Sequence, residues 1–233
     1  MISFFSKHRR VIFIVTVGIF LVGVFVGLGA YVFTGASSSA AVAEVGGKAI
    51  PYQQFRSQVN RVTANMKDSG TEVNEIISKG IKQEVFREMV VEELLSQQGE
   101  KMGMIVPNFE VAVEVQNTPQ FREGGAFSPR AYYQTIFNEF QMTPSEYEAW
   151  RKKARLASKF KQFLYTTVKV TPEEAKEYYL ASNKNLKDFD KNRAKATDDL
   201  AREKFSGMAN YMLRQLSIRQ EVKSYLELRE QGR

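Results

Sequence analysis

The chain opens with a long apolar run behind a short basic tip. Residues 11–33 contain no charged side chain, and the tip before them carries three of the 33 Lys and Arg residues. A helix needs about 20 residues to cross the roughly 30 Å hydrocarbon core of a bilayer, so this run predicts a transmembrane helix over residues 11–34. Since positive residues favour the cytoplasmic side, we expect residues 1–10 to be cytoplasmic and the rest to be exported.

A cleaved signal peptide is the alternative interpretation of the same run. Small residues follow it over positions 36–41 and could suit a signal peptidase. The apolar core of a signal peptide usually has about 7 to 15 residues, however, and this run is longer. Its length favours an uncleaved single-pass anchor in a bacterial inner membrane, followed by a linker over residues 35–42.

Short β-prone segments lie at both ends of the exported domain, which we place at residues 43–233. Residues 42–50 form two such runs around Gly46 and Gly47, the pattern of a β-hairpin. Near the other end, residues 221–227 alternate polar and apolar side chains with the period of a strand. Because a lone strand leaves its backbone groups unpaired, we expect this strand to pair with the hairpin and close the domain.

The segments between the strands have helical periodicity, so the predicted fold is mostly α with a small β-sheet. Apolar residues recur at helical spacing from Pro51 to Met66 and again from Ile77 to Leu95. The longest helix is predicted over residues 189–219, where an apolar stripe lies among charged residues. Burial of that stripe requires a partner, and we expect it to pack back on the N-terminal helices.

Three helix starts have a local signature. Ser128, Thr143 and Thr171 each precede a proline, so a hydroxyl caps the helix while the proline takes its first position. Glu146 and Glu174 stand three residues after their threonines and complete two capping boxes.

Composition excludes several kinds of chemistry. The chain has a net charge of +7, no cysteine and one histidine, His8, in the predicted cytoplasmic tip. The exported part therefore lacks the residues for a disulfide, a thiolate metal site or a histidine base, and no metal or cofactor is expected. Its 30 Lys and Arg against 26 Asp and Glu give a dispersed charge of +4, which predicts no nucleic-acid surface. Adjacent acids such as Glu92 and Glu93 point about 100° apart on a helix and form no catalytic dyad.

An ordered set of short motifs carries a family resemblance. In the first half these are Val45-Gly46-Gly47-Lys48-Ala49-Ile50 with Phe55, then Glu92-Glu93-Leu94-Leu95 to Gly103 with Val106, and Phe121-x3-Gly125-Ala126-Phe127. In the second half they are Tyr133, Phe137, Thr143-Pro144, Tyr147, Arg151, and Val170-Thr171-Pro172-Glu173-Glu174 with Tyr178-Tyr179. By their order the chain resembles the SurA N-terminal chaperone domain, especially its membrane-anchored PpiD relatives. It departs from the pattern of that family in two places. The segment from Phe127 to Tyr133 is one residue longer than usual, and a glycine of the pattern is replaced near Gln141.

The resemblance also shows what is missing. Many relatives carry a parvulin-type prolyl isomerase domain of about 90 residues after the Tyr-Tyr motif, whereas here Tyr179 leads almost directly into the long helix. The resemblance therefore implies a chaperone that binds unfolded or newly translocated polypeptides, with the Sec translocon as a further partner, and that has no isomerase activity.

Binding of varied clients requires an adaptable apolar surface with a polar rim. The sequence offers a cluster of aromatic and methionine side chains beside Gly124 and Gly125 as client-binding candidates. These are Phe121, Phe127, Tyr132, Tyr133, Phe137, Phe140 and Met142. Aromatic residues at helical spacing are more often core than ligand contacts, so each of them has a structural interpretation beside the functional one.

Two other functions remain open. The domain could be a scaffold or adaptor that binds one partner, such as the translocon or another periplasmic folding factor, through its long C-terminal helix. It could also be an isomerase with a site unlike that of the parvulins, although the absent insertion and the absent histidine both count against this.

Overall fold

A computed structural model describes residues 41–231. Within these residues a hairpin of β1 (Ala41–Val45) and β2 (Lys48–Pro51) joins β5 (Val222–Ser224) in an antiparallel sheet of order β2-β1-β5. β1 aligns Ala43 with Ser224 and Val45 with Val222. The predicted mostly helical fold is confirmed, as is the pairing of the hairpin with the C-terminal strand.

The helices follow the hairpin in an order close to the predicted one. They are α1 (Tyr52–Asp68), α2 (Glu75–Lys101), α3 (Asn108–Asn117), α4 (Pro129–Thr135), α5 (Pro144–Thr167), α6 (Pro172–Asn183), α7 (Phe189–Arg219) and α8 (Leu226–Glu230). A second small hairpin of β3 (Arg122–Glu123) and β4 (Ala126–Phe127) precedes α4, and a π-helical turn over Ile136–Phe140 follows it.

α2 and α5 form the centre of the domain and pack against each other along much of their length. Gly99 of α2 faces Leu156 of α5, where a Cβ added to the glycine would lie 3.1 Å from Leu156 Cδ1. Three core clusters involve this pair. The sheet, α1 and α2 build the first cluster, and α3, α4 and the start of α5 build the second around Phe121 and Trp150. A small third cluster of Leu95, Ala157 and Phe160 lies between α2 and α5.

α6 and α7 form a helical hairpin joined by residues 184–188. Ala175 and Ala196 are buried where the two helices meet, and Lys204 Nζ lies 2.6 Å from Glu174 Oε1. Among the 31 residues of α7, all of them within the described part of the chain, Ala196 alone is buried. The apolar stripe of α7 is thus only partly covered, although Leu213 near its end packs against the first core cluster.

The C-terminal strand is shorter than predicted. Alternation continues to Glu227, but pairing ends after Ser224, and the Tyr225 N–H donates to Val42 O at 2.9 Å. From Leu226 the chain turns into α8, whose first residue packs against the first core cluster. The packing of Leu226 against the first core cluster therefore favours a helix here over the strand that the period-two pattern predicts.

The N-terminal boundary of the fold also differs slightly from the predicted one. β1 begins at Ala41, inside the predicted linker. The predicted transmembrane helix over residues 11–34 lies outside the described residues. Across residues 41–231, every helix is too short or too polar to cross a bilayer.

Candidate functional site

Four of the seven aromatic and methionine candidates are core residues. Phe121, Tyr132, Phe140 and Met142 are buried in the second cluster. The ring of Phe121 meets that of Tyr132 edge to face, with centroids 5.1 Å apart, and the Phe140 ring lies 5.0 Å from that of Tyr147. Their spacing therefore reflects the packing of α4 and the π-helical turn on α5, and they offer no surface to a client in this conformation.

The other three candidates are less enclosed. Phe127 is partly buried and packs against the same cluster. Tyr133 and Phe137, one helical turn apart, are 50% and 55% exposed. A client-binding role for this exposed pair stays a prediction, but the pair alone is a small surface.

A larger apolar surface lies between α2, α5 and α7. The three helices line a groove of about 910 Å3 that is open to solvent. Its floor is formed by apolar side chains from all three helices: Val90, Val91, Ala154 and Leu213 are partly exposed, whereas Leu95 and Ala157 beneath them are buried. A smaller hollow of about 230 Å3 shares Val91 and Leu213 with it and extends it along α7 to Phe205. Together they form a continuous apolar trough, which we call the α2–α5–α7 groove.

The rim of the α2–α5–α7 groove is polar and carries charges of both signs. Glu84, Arg87 and Glu88 of α2 face Lys161 of α5 and Arg214 of α7. Arg87 and Glu84 pair with each other at 2.6 Å. Because the acidic and basic groups roughly balance, the rim favours no single sign of charge in a bound chain.

Glu92 adds one ionisable group at the edge of the apolar floor. Its Oε1 accepts a hydrogen bond of 3.2 Å from Trp150 Nε1. Burial raises the pKa of Glu92 above its ordinary value, while Arg151, the Trp150 hydrogen bond and Lys153 act in the opposite direction. Desolvation is the largest of these effects because the carboxyl lies between α2 and the apolar face of α5.

Polar contacts buried behind the groove fix its walls. Glu93 is 2% exposed and pairs with Lys153 of α5 at 2.6 Å. Gln97 Nε2 donates to Glu93 Oε1 at 2.7 Å and to Val45 O of the hairpin at 2.8 Å. These bonds connect α2 to both α5 and the sheet, and so hold the α2 and α5 walls of the groove together.

Sequence reasoning did not find this groove, although one signal for it existed. In α2 the consecutive apolar residues Met89, Val90 and Val91 and then Leu94 and Leu95 make a face wider than one stripe. A face of that width must contact more than one neighbour, or leave part of itself uncovered. Only the position of the C-terminal part of α7, which lines the groove more than 100 residues after the groove residues of α2, decides which part stays open.

Metal chemistry has no visible basis in the described residues. Over positions 41–231, no three His, Cys, Asp or Glu side chains are grouped so that they could hold an ion.

Comparison with known families identifies the chain. A model of the SurA-like N-terminal domain matches residues 1–161. The chain belongs to the SurA-like N-terminal domain family. The matched region contains α2 and most of α5, so two walls of the groove lie within the SurA-like part, while α6 and α7 follow it. A comparison with curated proteins gave no match. Family membership indicates a chaperone-like role.

Proposed function

We propose that the protein is a membrane-anchored periplasmic chaperone that binds unfolded or newly translocated polypeptides in the α2–α5–α7 groove. The observation that carries the proposal is the apolar floor of this groove, to which two helices of the SurA-like part and the following α7 contribute. An unfolded segment gains free energy by burying its own apolar side chains there, at roughly 25 cal/mol per Å2 removed from water.

The chemistry of the groove suits clients of varied sequence. Aliphatic side chains make non-directional contacts, and the Met212 side chain beside the adjoining hollow repacks easily around different shapes. The mixed charges of the rim hydrogen-bond to backbone groups of an extended chain without selecting one sequence. Partial burial of α7 also allows this wall to adjust to the size of the bound segment.

The predicted anchor bears on where the protein acts, and the short connection between α6 and α7 bears on whether it is a catalyst. An anchor over residues 11–34 would hold the groove beside the place where exported chains leave the translocon, and tethering raises local concentration without a change in affinity. Binding alone is proposed, with no prolyl isomerase step, because α6 connects to α7 through residues 184–188 only.

Suppression of aggregation tests the proposal. The full chain in nanodiscs is mixed with several unrelated denatured proteins, and light scattering is followed against empty nanodiscs. We expect delayed aggregation of most of them. The variant Val91→Asn places an amide on the groove floor and should reduce the delay several-fold, because the buried amide loses its hydrogen bonds to water.

A matched variant controls for stability. Val73→Asn changes another partly buried valine, which lies before α2 and outside the groove. It should leave the delay unchanged when both variants melt within a few degrees of the parent protein. Equal loss of activity in the two variants would contradict the groove as the binding site.

Two other results would replace the proposal. If the chain delays no aggregation and instead copurifies with one stoichiometric partner, the adaptor function is correct. If the chain accelerates a refolding reaction that is limited by prolyl isomerisation, the non-catalytic part of the proposal fails.

A further inference from the structure

A second apolar surface lies on the segment that joins α2 to α3, apart from the groove. Met102, Ile105, Phe109 and Val113 are 54%, 75%, 67% and 51% exposed, all within 12 residues. Met102 and Ile105 stand in the connection, whereas Phe109 and Val113 are one turn apart on α3. We call these four side chains the 102–113 ridge. Each of the four side chains is therefore at least half exposed to solvent.

Cations surround the 102–113 ridge. Lys159 Nζ donates to Ile105 O at 3.2 Å, and Lys152 Nζ donates to Asn108 Oδ1 at 3.0 Å. Arg155 lies beside the shallow hollow of about 410 Å3 that Phe109 and Val113 line. Lys101 ends α2 immediately before Met102.

The nearby carboxylates do not balance these cations. Glu110 is held by Lys159 at 2.6 Å and by Arg155 at 3.3 Å. Glu114 is held by Arg155 at 2.9 Å and by Arg151. Glu100, the next acid along α2, pairs with Lys48 of the hairpin at 2.7 Å. The five cations on this face are Lys101, Arg151, Lys152, Arg155 and Lys159, and against the two carboxylates of α3 they leave a net charge of +3.

We propose that the 102–113 ridge docks onto an anionic lipid surface, with its four apolar side chains inserted between headgroups and the surrounding lysines facing lipid phosphates. Exposed apolar residues beside cations are the combination that interfacial membrane binding requires. A second copy of the chain would bring the same excess of positive charge against itself, so charge favours a lipid partner over self-association. The inference does not depend on the groove or on its clients.

Docking would also orient the domain. A single anchor fixes distance from the membrane but leaves rotation free, whereas a second contact at the ridge would hold one face against the bilayer.

A fluorescent label tests the docking directly. The chain has no cysteine, so Ala112→Cys, an exposed position between Phe109 and Val113, gives a single labelling site that keeps all four ridge residues. The full chain carries an environment-sensitive dye there, in vesicles of phosphatidylglycerol and phosphatidylethanolamine or of phosphatidylcholine alone. We expect a blue shift and quenching by brominated acyl chains in the anionic vesicles.

A second labelled position serves as the control. Ile76 is 82% exposed at the other end of α2, about 39 Å along the helix from Met102 at 1.5 Å per residue. Dye on Ile76→Cys should stay in water in both kinds of vesicle. If dye at position 112 is as accessible to water as dye at position 76 in anionic vesicles, the proposal is overturned.

Substitutions separate the contribution of the lysines to docking from that of the apolar side chains. Lys101→Gln with Lys152→Gln should lower the ratio of docked to undocked protein roughly 30-fold, about fivefold for each lysine. Lys79→Gln with Lys176→Gln, two exposed lysines elsewhere, should change it less than twofold. Phe109→Ser should also reduce docking, whereas Ile76→Ser should not. Equal docking on neutral vesicles would overturn the anionic requirement.

Other occupants give distinct results, and each overturns the proposal. Shielding of position 112 that rises with protein concentration in the absence of lipid would identify a second copy of the chain. Shielding that appears only when an unfolded polypeptide is added would identify a client surface. Failure of the aggregation assay with intact docking would contradict only the chaperone function.

Discussion

The two glycines at the tip of the β1–β2 hairpin have the same backbone requirement but different surroundings. Gly46 and Gly47 have φ of +57° and +79°, the region in which a side chain is strained. A Cβ on Gly46 would lie 2.8 Å from Gln97 Oε1 and 3.2 Å from Gln220 Oε1, whereas a Cβ on Gly47 would meet nothing within 4 Å. Gly46 N–H also donates to Gln220 O at 2.7 Å.

Alanine at these two positions should therefore have unequal effects. Gly47→Ala should lower the free energy of unfolding by about 1–2 kcal/mol, the cost of a left-handed residue with a Cβ. Gly46→Ala should cost at least about 1 kcal/mol more, because the buried glutamine side chains must move. Urea unfolding of both variants measures the difference. Equal midpoints would show that the glutamines adjust without cost.

Glu92 should make stability depend on pH. Its folded-state pKa is raised by burial, so the folded chain binds this proton more tightly than the unfolded chain does. That contribution is fully present below the unfolded pKa, near 4.5, and is lost as pH rises through the folded pKa. Glu92→Gln should therefore gain stability relative to the parent protein as pH rises from below 4.5 toward neutrality. Urea unfolding across this range checks it, and a constant difference would contradict the expectation.

At the scale of single elements, the two capping boxes act on helices of different importance. Thr143 Oγ1 accepts from Glu146 N at 3.3 Å, and Thr171 Oγ1 accepts from Glu174 N at 3.2 Å. The first box begins α5, which packs along α2 at the centre of the domain. The second begins α6, which belongs to the peripheral α6–α7 hairpin.

Removal of the first cap should therefore change global stability, whereas removal of the second should change local stability. Thr143→Ala should lower the free energy of global unfolding by about 1 kcal/mol, since α5 is part of the central pair. Thr171→Ala loses an equivalent cap, but the loss should appear mainly as faster amide exchange in α6 and the first half of α7. Hydrogen exchange with mass spectrometry distinguishes the two. Uniformly faster exchange in Thr171→Ala would show that α6 unfolds only with the whole domain.

At the scale of the whole molecule, the last strand closes the fold. β5 pairs with β1, so strands from the two ends of the described chain meet in one sheet. β5 begins shortly after the end of α7. This pairing fixes the C-terminal end of the α7 wall of the groove. The Tyr225 N–H bond to Val42 O lies at the edge of the pairing, and Val42 is fully buried.

Loss of that bond should loosen α7. Tyr225→Pro removes the donor and leaves the buried Val42 carbonyl unpaired, at a cost of about 1–3 kcal/mol beyond that of Tyr225→Ala. Exchange of α7 amides should accelerate in the proline variant, and client binding should weaken because one wall of the groove is released. The alanine variant, which loses the same ring, is the control. Identical exchange in the two variants would mean that burial of Leu213 and Leu216 alone holds α7.

Sequence by itself determined many of the elements and where they begin, but it placed the end of the last strand three residues too late and did not predict α8. The hairpin at Gly46 and Gly47, the starts of α4, α5 and α6 and the span of α7 follow from turn residues, hydroxyl caps and apolar periodicity, all of which act within a few residues. The pairing of the terminal strand with the hairpin also followed, because an unpaired strand is costly wherever it lies in the chain.

Only the tertiary structure decided which apolar side chains are core and which remain open. Tyr132 and Tyr133 are adjacent in sequence, yet the first is buried and the second is half exposed, because α5 packs on one side of α4 and leaves the other side uncovered. The groove likewise depends on how far α7 stands from α2 and α5, and the ridge on what α3 leaves uncovered. Both are products of packing between distant segments, which periodicity along a single segment does not specify.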